Sequence, residues 1–126
     1  ESEAQFRLLA ENSSDMITRH DTNLNILYVS PACRNLLGYE PEEMIGKPIL
    51  PFIHAEDTRQ LLEFLSTTPN SDITRVIPYR ALHKNGEYIW LETTARIIYD
   101  QNHTVIEYQA SSRDVTERRA ELSLGT

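Results

Sequence analysis

The 126-residue sequence is short of several residue types, and each shortage excludes something. It has one cysteine, Cys33, so no disulfide framework can form within the chain, and a cysteine-built zinc site is argued against. Its four histidines, His20, His54, His83 and His103, show no helical or metal-ligand spacing. With four glycines and no cluster of them, there is no Gly-rich phosphate loop. Basic residues are outnumbered 12 to 19, giving a net charge of −7. That balance disfavours nucleic acid and anionic membrane surfaces as partners, since both need a basic footprint. No apolar run reaches the length of a membrane span, and no signal peptide is present. No nucleophile, base and orienting acid stand in a recognisable motif, so this segment is not expected to be an enzyme.

What is present reads as one soluble domain. Hydrophobic content is 40% and charged content 25%, enough for one core and too little chain for two. The lone thiol fits a reducing, cytoplasmic setting. Both ends are helix-like, as in a piece of a longer protein, and such a parent can itself be membrane-associated.

The stretch 75–99 reads as two long strands joined at Asn85-Gly86, a strong hairpin signal because both residues accept positive φ in a two-residue turn. Past the turn, Ile89, Leu91, Thr93, Ala95, Ile97 and Tyr99 form the more apolar set and should face inward. Thr93 and Ala95 fill little volume. Room is left there for a packed helix or for a ligand.

The rest of the chain follows in order. Residues 1–12 form a short amphipathic helix around Phe6, Leu8 and Leu9. Met16 to His20 and Leu24 to Ser30 pair across an Asp21-Thr22-Asn23 turn. A helix spans Pro31 to Leu37, with Ser30 as N-cap, Pro31 at the first position and Gly38 as stop. Pro41 to Gly46 makes one helical turn. A helix then runs from the His54–Asp57 turn to about Ser66, burying Leu61, Leu62 and Leu65. Residues 68–72 are a loop. Asp100 to His103 turns into the last strand, Thr104 to Arg113, and Asp114 caps an outgoing helix that runs to Leu124. The layout is α+β: an antiparallel sheet with short helices on one face.

Six segments in this order resemble the PAS sensor-domain family: Asp15-Met16-Ile17, Tyr28-Val29-Ser30-Pro31-Ala32, Leu37 to Lys47, Phe52 to Asp57, Lys84 to Trp90, and Arg113 to Arg118. The resemblance implies a five-stranded antiparallel sheet of order 2-1-5-4-3. It divides the chain into an N-terminal helix at 1–14, a core at 15–113 and the start of a linker at 114–126. It also implies a sensing or relay input domain for a covalently attached output, foremost a sensor histidine kinase. Asp114 and Thr116, in Asp-Val-Thr, look like the family's exit motif and would relay the signal.

The resemblance also sorts cofactors. The segment matching the flavin-adduct motif is Gly46 to Ile53, with Ile49 at the cysteine position, so no covalent flavin adduct is expected. The helix that supplies a haem histidine in this family has none here. His54 reads as a turn residue and Cys33 as a packed apolar one. A small organic ligand remains, or none. By likeness to ligand-binding members the inward sets are Met16, Thr18 and His20; Leu24, Ile26, Tyr28 and Ser30; Tyr79 and Ala81; Leu91, Thr93 and Ala95; and Gln109, Ser111 and Arg113. Ile49, Phe52, Ile53, Leu62 and Leu65 form the helical wall. His20, Tyr28, Gln109 and Arg113 are the polar anchors, with Arg113 calling for an anion. The other reading is that these groups satisfy one another around a collapsed pocket.

A different class of function competes: a ligand-free dimerisation or interaction module of a nucleotide cyclase or transcription regulator. Ile17, Trp90 and Ile98 on the outer sheet face, and the N-terminal helix, would then join two copies.

Overall fold

The computed structural model describes residues 14–66 and 74–117. The expected helix at 1–12, the loop at 68–72 and the linker helix beyond 117 lie outside them.

Five strands form one antiparallel sheet: β1 Met16–His20, β2 Ile26–Val29, β3 Thr74–Leu82, β4 Tyr88–Tyr99 and β5 Val105–Asp114. Their order is β2-β1-β5-β4-β3, as the family resemblance implies. Between β2 and β3 run α1 Cys33–Leu37, α2 Pro41–Met44, a 3-10 turn Leu50–Phe52 and α3 Ala55–Ser66. The core lies between these helices and one sheet face, where Met16, Ile26, Leu37, Met44, Ile77 and Leu91 are almost fully enclosed.

The alternation expected of β4 holds. Leu91, Thr93, Ala95 and Ile97 are buried, while Tyr88, Thr94 and Arg96 are exposed. In β5 the expected parity is wrong. Cross-strand partners share a face, and the buried β4 residues pair as Thr93 with Ser112, Ala95 with Ala110 and Ile97 with Tyr108. Gln109, Ser111 and Arg113 therefore belong to the outer set, opposite Arg96, Thr94 and Glu92. A one-residue shift turns every side chain over.

Two helix details also differ. Ser30 does not cap α1; its Oγ accepts the Ile17 N–H at 2.9 Å, and α1 begins at Cys33 behind Ala32. On α3, Phe64 is buried and Leu62 is 44% exposed.

The three hairpins share one loop. In each, the first residue's N–H donates to the carbonyl four residues on: Asp21 to Asn25, His83 to Glu87, Asp100 to Thr104. The fourth residue's N–H donates back to the first carbonyl. The first side chain accepts the N–H two residues on, through Asp21 Oδ1, His83 Nδ1 and Asp100 Oδ1. The fourth residue has positive φ: Leu24 at 66°, Gly86 at 93°, His103 at 61°. The 84–86 connection is thus a three-residue loop closed by a left-handed glycine, not the expected two-residue turn. The Asn85 side-chain amide oxygen instead accepts the Glu87 N–H.

A Cβ added at Gly86 would meet nothing within 4 Å, so any cost there is conformational alone. Gly86→Ala is expected to lower the unfolding free energy by about 1 kcal/mol. His103→Gly should leave it level or raise it, because relieved strain and added chain entropy nearly offset. Urea denaturation of both variants checks this; equal losses would contradict a shared loop.

Candidate functional site

The helices do not close fully on the sheet. A cavity of about 40 Å³ lies between them. Its sheet side is His20, Tyr79, Thr93, Ala95, Tyr108, Gln109 and Ala110; its cover is Leu24, Ile49, Ile53, Leu61 and Leu65. The physical origin is the small residues at the centre of the inner face. Thr93 and Ala95 pair with Ser112 and Ala110, so no bulky side chain rises from that part of the sheet.

Of the residues expected to line a ligand site, His20, Leu24, Ile49, Ile53, Leu65, Tyr79, Thr93, Ala95 and Gln109 meet at this cavity. Met16, Ala81 and Leu91 are buried elsewhere in the core, and Phe52 stacks edge-on against Tyr39. Thr18 is buried and bonds to His20, while Tyr28 is buried on β2. Leu62 faces outward, and its place in the wall is taken by Leu61. Three intended polar contacts move to the outer face. Arg113 is exposed and its guanidinium grips Glu92 at 2.6 Å. Ser111 donates to Asp15 at 3.3 Å. Gln109 keeps atoms in the wall, but its amide donates to Glu107, which Arg19 also holds at 2.6 Å. Arg113 is therefore not an inward anchor for an anion. The missed wall residues are Tyr108 and Ala110, and the polar pattern Glu107-x-Gln109-x-x-x-Arg113 could have revealed them by marking the outer side.

The polar groups left inside fall into two sets. The Thr93 and Ser112 hydroxyls bond at 2.8 Å, and the buried Tyr79 hydroxyl meets both. This ties β3, β4 and β5 together under the cavity. His20 is 7% exposed, and its Nε2 pairs with Thr18 Oγ1 at 2.9 Å. Its Nδ1 is enclosed without a hydrogen-bond partner. Burial pulls the imidazole down to about 4, against the nearby Asp21 and Glu107 charges, which favour protonation. His20 is thus neutral at physiological pH.

Outside the cavity, Cys33 is buried, its thiol donates to the Tyr39 carbonyl at 3.3 Å, and burial pushes it up to about 11. That thiol is unreactive in this setting. His54 is a turn residue: its Nδ1 accepts the Glu56 N–H at the start of α3.

A second arrangement links α3 to the chain's exit. Asp57, in the first turn of α3, accepts both Arg80 Nε and Nη2 at 3.0 Å and the Arg80 backbone N–H at 2.8 Å. These bonds hold its carboxyl below the usual range. The Arg80 guanidinium lies 5.1 Å from the centre of the Trp90 ring. The Trp90 backbone in turn holds the exit segment. Its N–H donates to Thr116 Oγ1 at 2.8 Å, and its carbonyl accepts the Val115 N–H at 2.9 Å. Asp114 Oδ1 accepts the Thr116 N–H at 2.8 Å, as a helix cap does. Asp114 thus caps, and Thr116 makes the bond back to the sheet.

Comparison with known proteins agrees with this architecture. A family model described as the PAS fold matches residues 26–112. Hypoxia-inducible factor 1-alpha of Xenopus laevis is 30% identical over 125 residues, covering 90% of this chain and 15% of that protein. The two-component sensor PprA of Pseudomonas aeruginosa is also 30% identical, covering 98% of this chain and 14% of its own length. A PAS domain from Colwellia psychrerythraea superposes with a TM-score of 0.79 at 25% identity, covering 92% of this chain and 99% of that one. The chain belongs to the PAS domain family. It spans about a seventh of the two curated relatives. Among the described residues, no helix is long and apolar enough to cross a membrane.

The buried imidazole makes stability depend on pH. Its folded value, about 4, lies below its ordinary 6.5. Below the ordinary value the unfolded chain takes up a proton that the folded one refuses, so stability falls as pH falls. Between about pH 7.5 and about pH 5 the loss is expected to be about 2 kcal/mol. Urea denaturation at both pH values, with His20→Gln as reference, measures it. An equal slope in the variant, or an NMR titration of His20 with a midpoint near the ordinary value, contradicts the assignment.

Proposed function

We propose that this chain is the sensing input domain of a multidomain signalling protein, foremost a sensor histidine kinase, whose cavity takes a small organic molecule. Occupancy is passed to an attached output through Asp114 and Thr116. The observation that carries this reading is the continuous contact from the cavity's cover to the exit. Helix α3 supplies Leu61 and Leu65 to the cavity and Asp57 to Arg80, Arg80 lies on Trp90, and Trp90 holds Thr116. A shift of α3 to admit a ligand therefore strains the groups that fix the exit segment. The likeness to a two-component sensor supports this kind of output.

The second reading is a ligand-free dimerisation module of a nucleotide cyclase or transcription regulator. It is favoured by apolar side chains on the outer sheet face: Val76 is 55% exposed and Tyr88 47%. Ile17, Trp90 and Ile98, expected there as exposed, are half-buried instead. In either reading the unit is proposed to work as a homodimer, through this face or the N-terminal segment.

Native mass spectrometry of the purified chain, followed by an amide NMR screen of small molecules, tests the first reading. At least one compound is expected to shift cavity amides together with those of 114–116, and Arg80→Gln should sever the second set from the first. If no compound moves the cavity amides, sensing is refuted and the interaction module stands. The same mass spectrum shows whether the chain is a dimer, and Val76→Glu should dissociate one built on the outer face.

A further inference from the structure

The inner face of the sheet carries one row of small side chains. By register, Thr18 on β1, Ala110 on β5 and Ala95 on β4 stand side by side. The row on one side reaches from Met16 to Ile77, and the row on the other holds His20, Tyr108 and Ile97. Ala95 and Ala110 both line the cavity, so the hollow belongs to the low row between two taller ones.

The surface that the cavity presents is almost entirely apolar. His20, Tyr79, Thr93, Tyr108 and Gln109 all belong to the wall, yet polar atoms make up very little of what it offers to a ligand. The cover is wholly aliphatic, from Leu24 to Leu65. A polar group enclosed here gives up its bonds to water for little in return, and an ionised one loses more. A cluster of waters meets the same difficulty, since each needs two to four polar partners. An apolar group has no such loss. It gains dispersion contacts with walls that otherwise face a void.

Size is the second limit. A volume of about 40 Å³ holds about three water-sized groups. A methyl added at Ala95 or Ala110 takes up about one of them.

Resting on the ligand-sensing reading above, we infer that the cavity binds a small apolar molecule of the light-hydrocarbon class, with a bulk of about three carbons, and that Ala95 and Ala110 set its size. Larger side chains at these two positions convert the site into ordinary core.

The probes are cyclopropane, n-propanol and propionate, matched in carbon number and added separately to the 15N-labelled chain. Cyclopropane is expected to give saturable shifts at the amides of Ala95, Ala110 and the residues beside them. n-Propanol should bind at least about tenfold more weakly, and propionate should leave those amides unmoved. In Ala95→Val, and separately in Ala110→Val, cyclopropane should bind at least about tenfold more weakly while the urea midpoint stays level or rises. n-Propanol or propionate binding as tightly as cyclopropane overturns the apolar class but leaves the cavity as a site. Cyclopropane held undiminished by either folded variant overturns the role of that alanine. If no probe moves the cavity amides, the ligand-sensing reading itself fails. The three probes are compared in the unmodified chain, so the class is tested whether or not a variant folds.

Discussion

Two cross-strand pairs of small residues, Thr93 with Ser112 and Ala95 with Ala110, govern this structure. They occupy the middle of the longest strands, where a β-sheet domain ordinarily places its bulkiest aliphatic side chains. Leu91 and Ile97 flank them on the same strand and are fully packed. Interiors are close-packed, so an unfilled volume at this depth forfeits dispersion contacts that larger side chains would recover. Replacing the alanines with valine or leucine would fill it. That the hollow persists, with the buried His20 among its lining residues, separates this region from a merely imperfect core.

The same pairs explain why the sheet does not sag there. Thr93 and Ser112 are joined by their hydroxyls, and Tyr79 reaches across from β3 to meet them. Three strands are thereby tied by side chains as well as by backbone. A fully satisfied buried network rigidifies its surroundings. The cavity floor is thus braced by side chains as well as by backbone. The cover is tied to β3 through Asp57 and Arg80, in the first turn of α3.

Much of this was legible in the residues. The strand order came from six short segments in a familiar order, and the inward face of β4 from simple alternation. The small centre of that face was visible in Thr93 and Ala95. Strand β5 was misread because its alternation is weak: Ala110, Ser111 and Ser112 differ little in polarity, and register across β1 and β4 decides which way they point. Arg113 looked inward only by analogy with ligand-binding relatives, whereas its register opposite Glu92 sets it on the outer face. On α3, Leu62 was expected inside and Phe64 is the buried residue instead, for a comparable reason. They lie at the two edges of the apolar stripe formed with Leu61 and Leu65, where period alone does not decide between them.

The hairpin loops show a different limit. Asp-x-Asn at 21–23 and 100–102 and His-Lys-Asn-Gly at 83–86 look unlike as sequences, yet they close with the same hydrogen bonds. What recurs is a role: an acceptor side chain at the first position and a left-handed residue at the fourth. Glycine fills the second role at 86, while Leu24 and His103 adopt it against their preference. At Leu24 the strain has a structural return, because that backbone conformation sets the leucine into the cavity wall beside His20. A leucine held at positive φ to cover a hollow core is local strain maintained by the surrounding structure. It follows from the same constraint as the rest of the site: small residues beneath, and side chains drawn in from the edges to close over them.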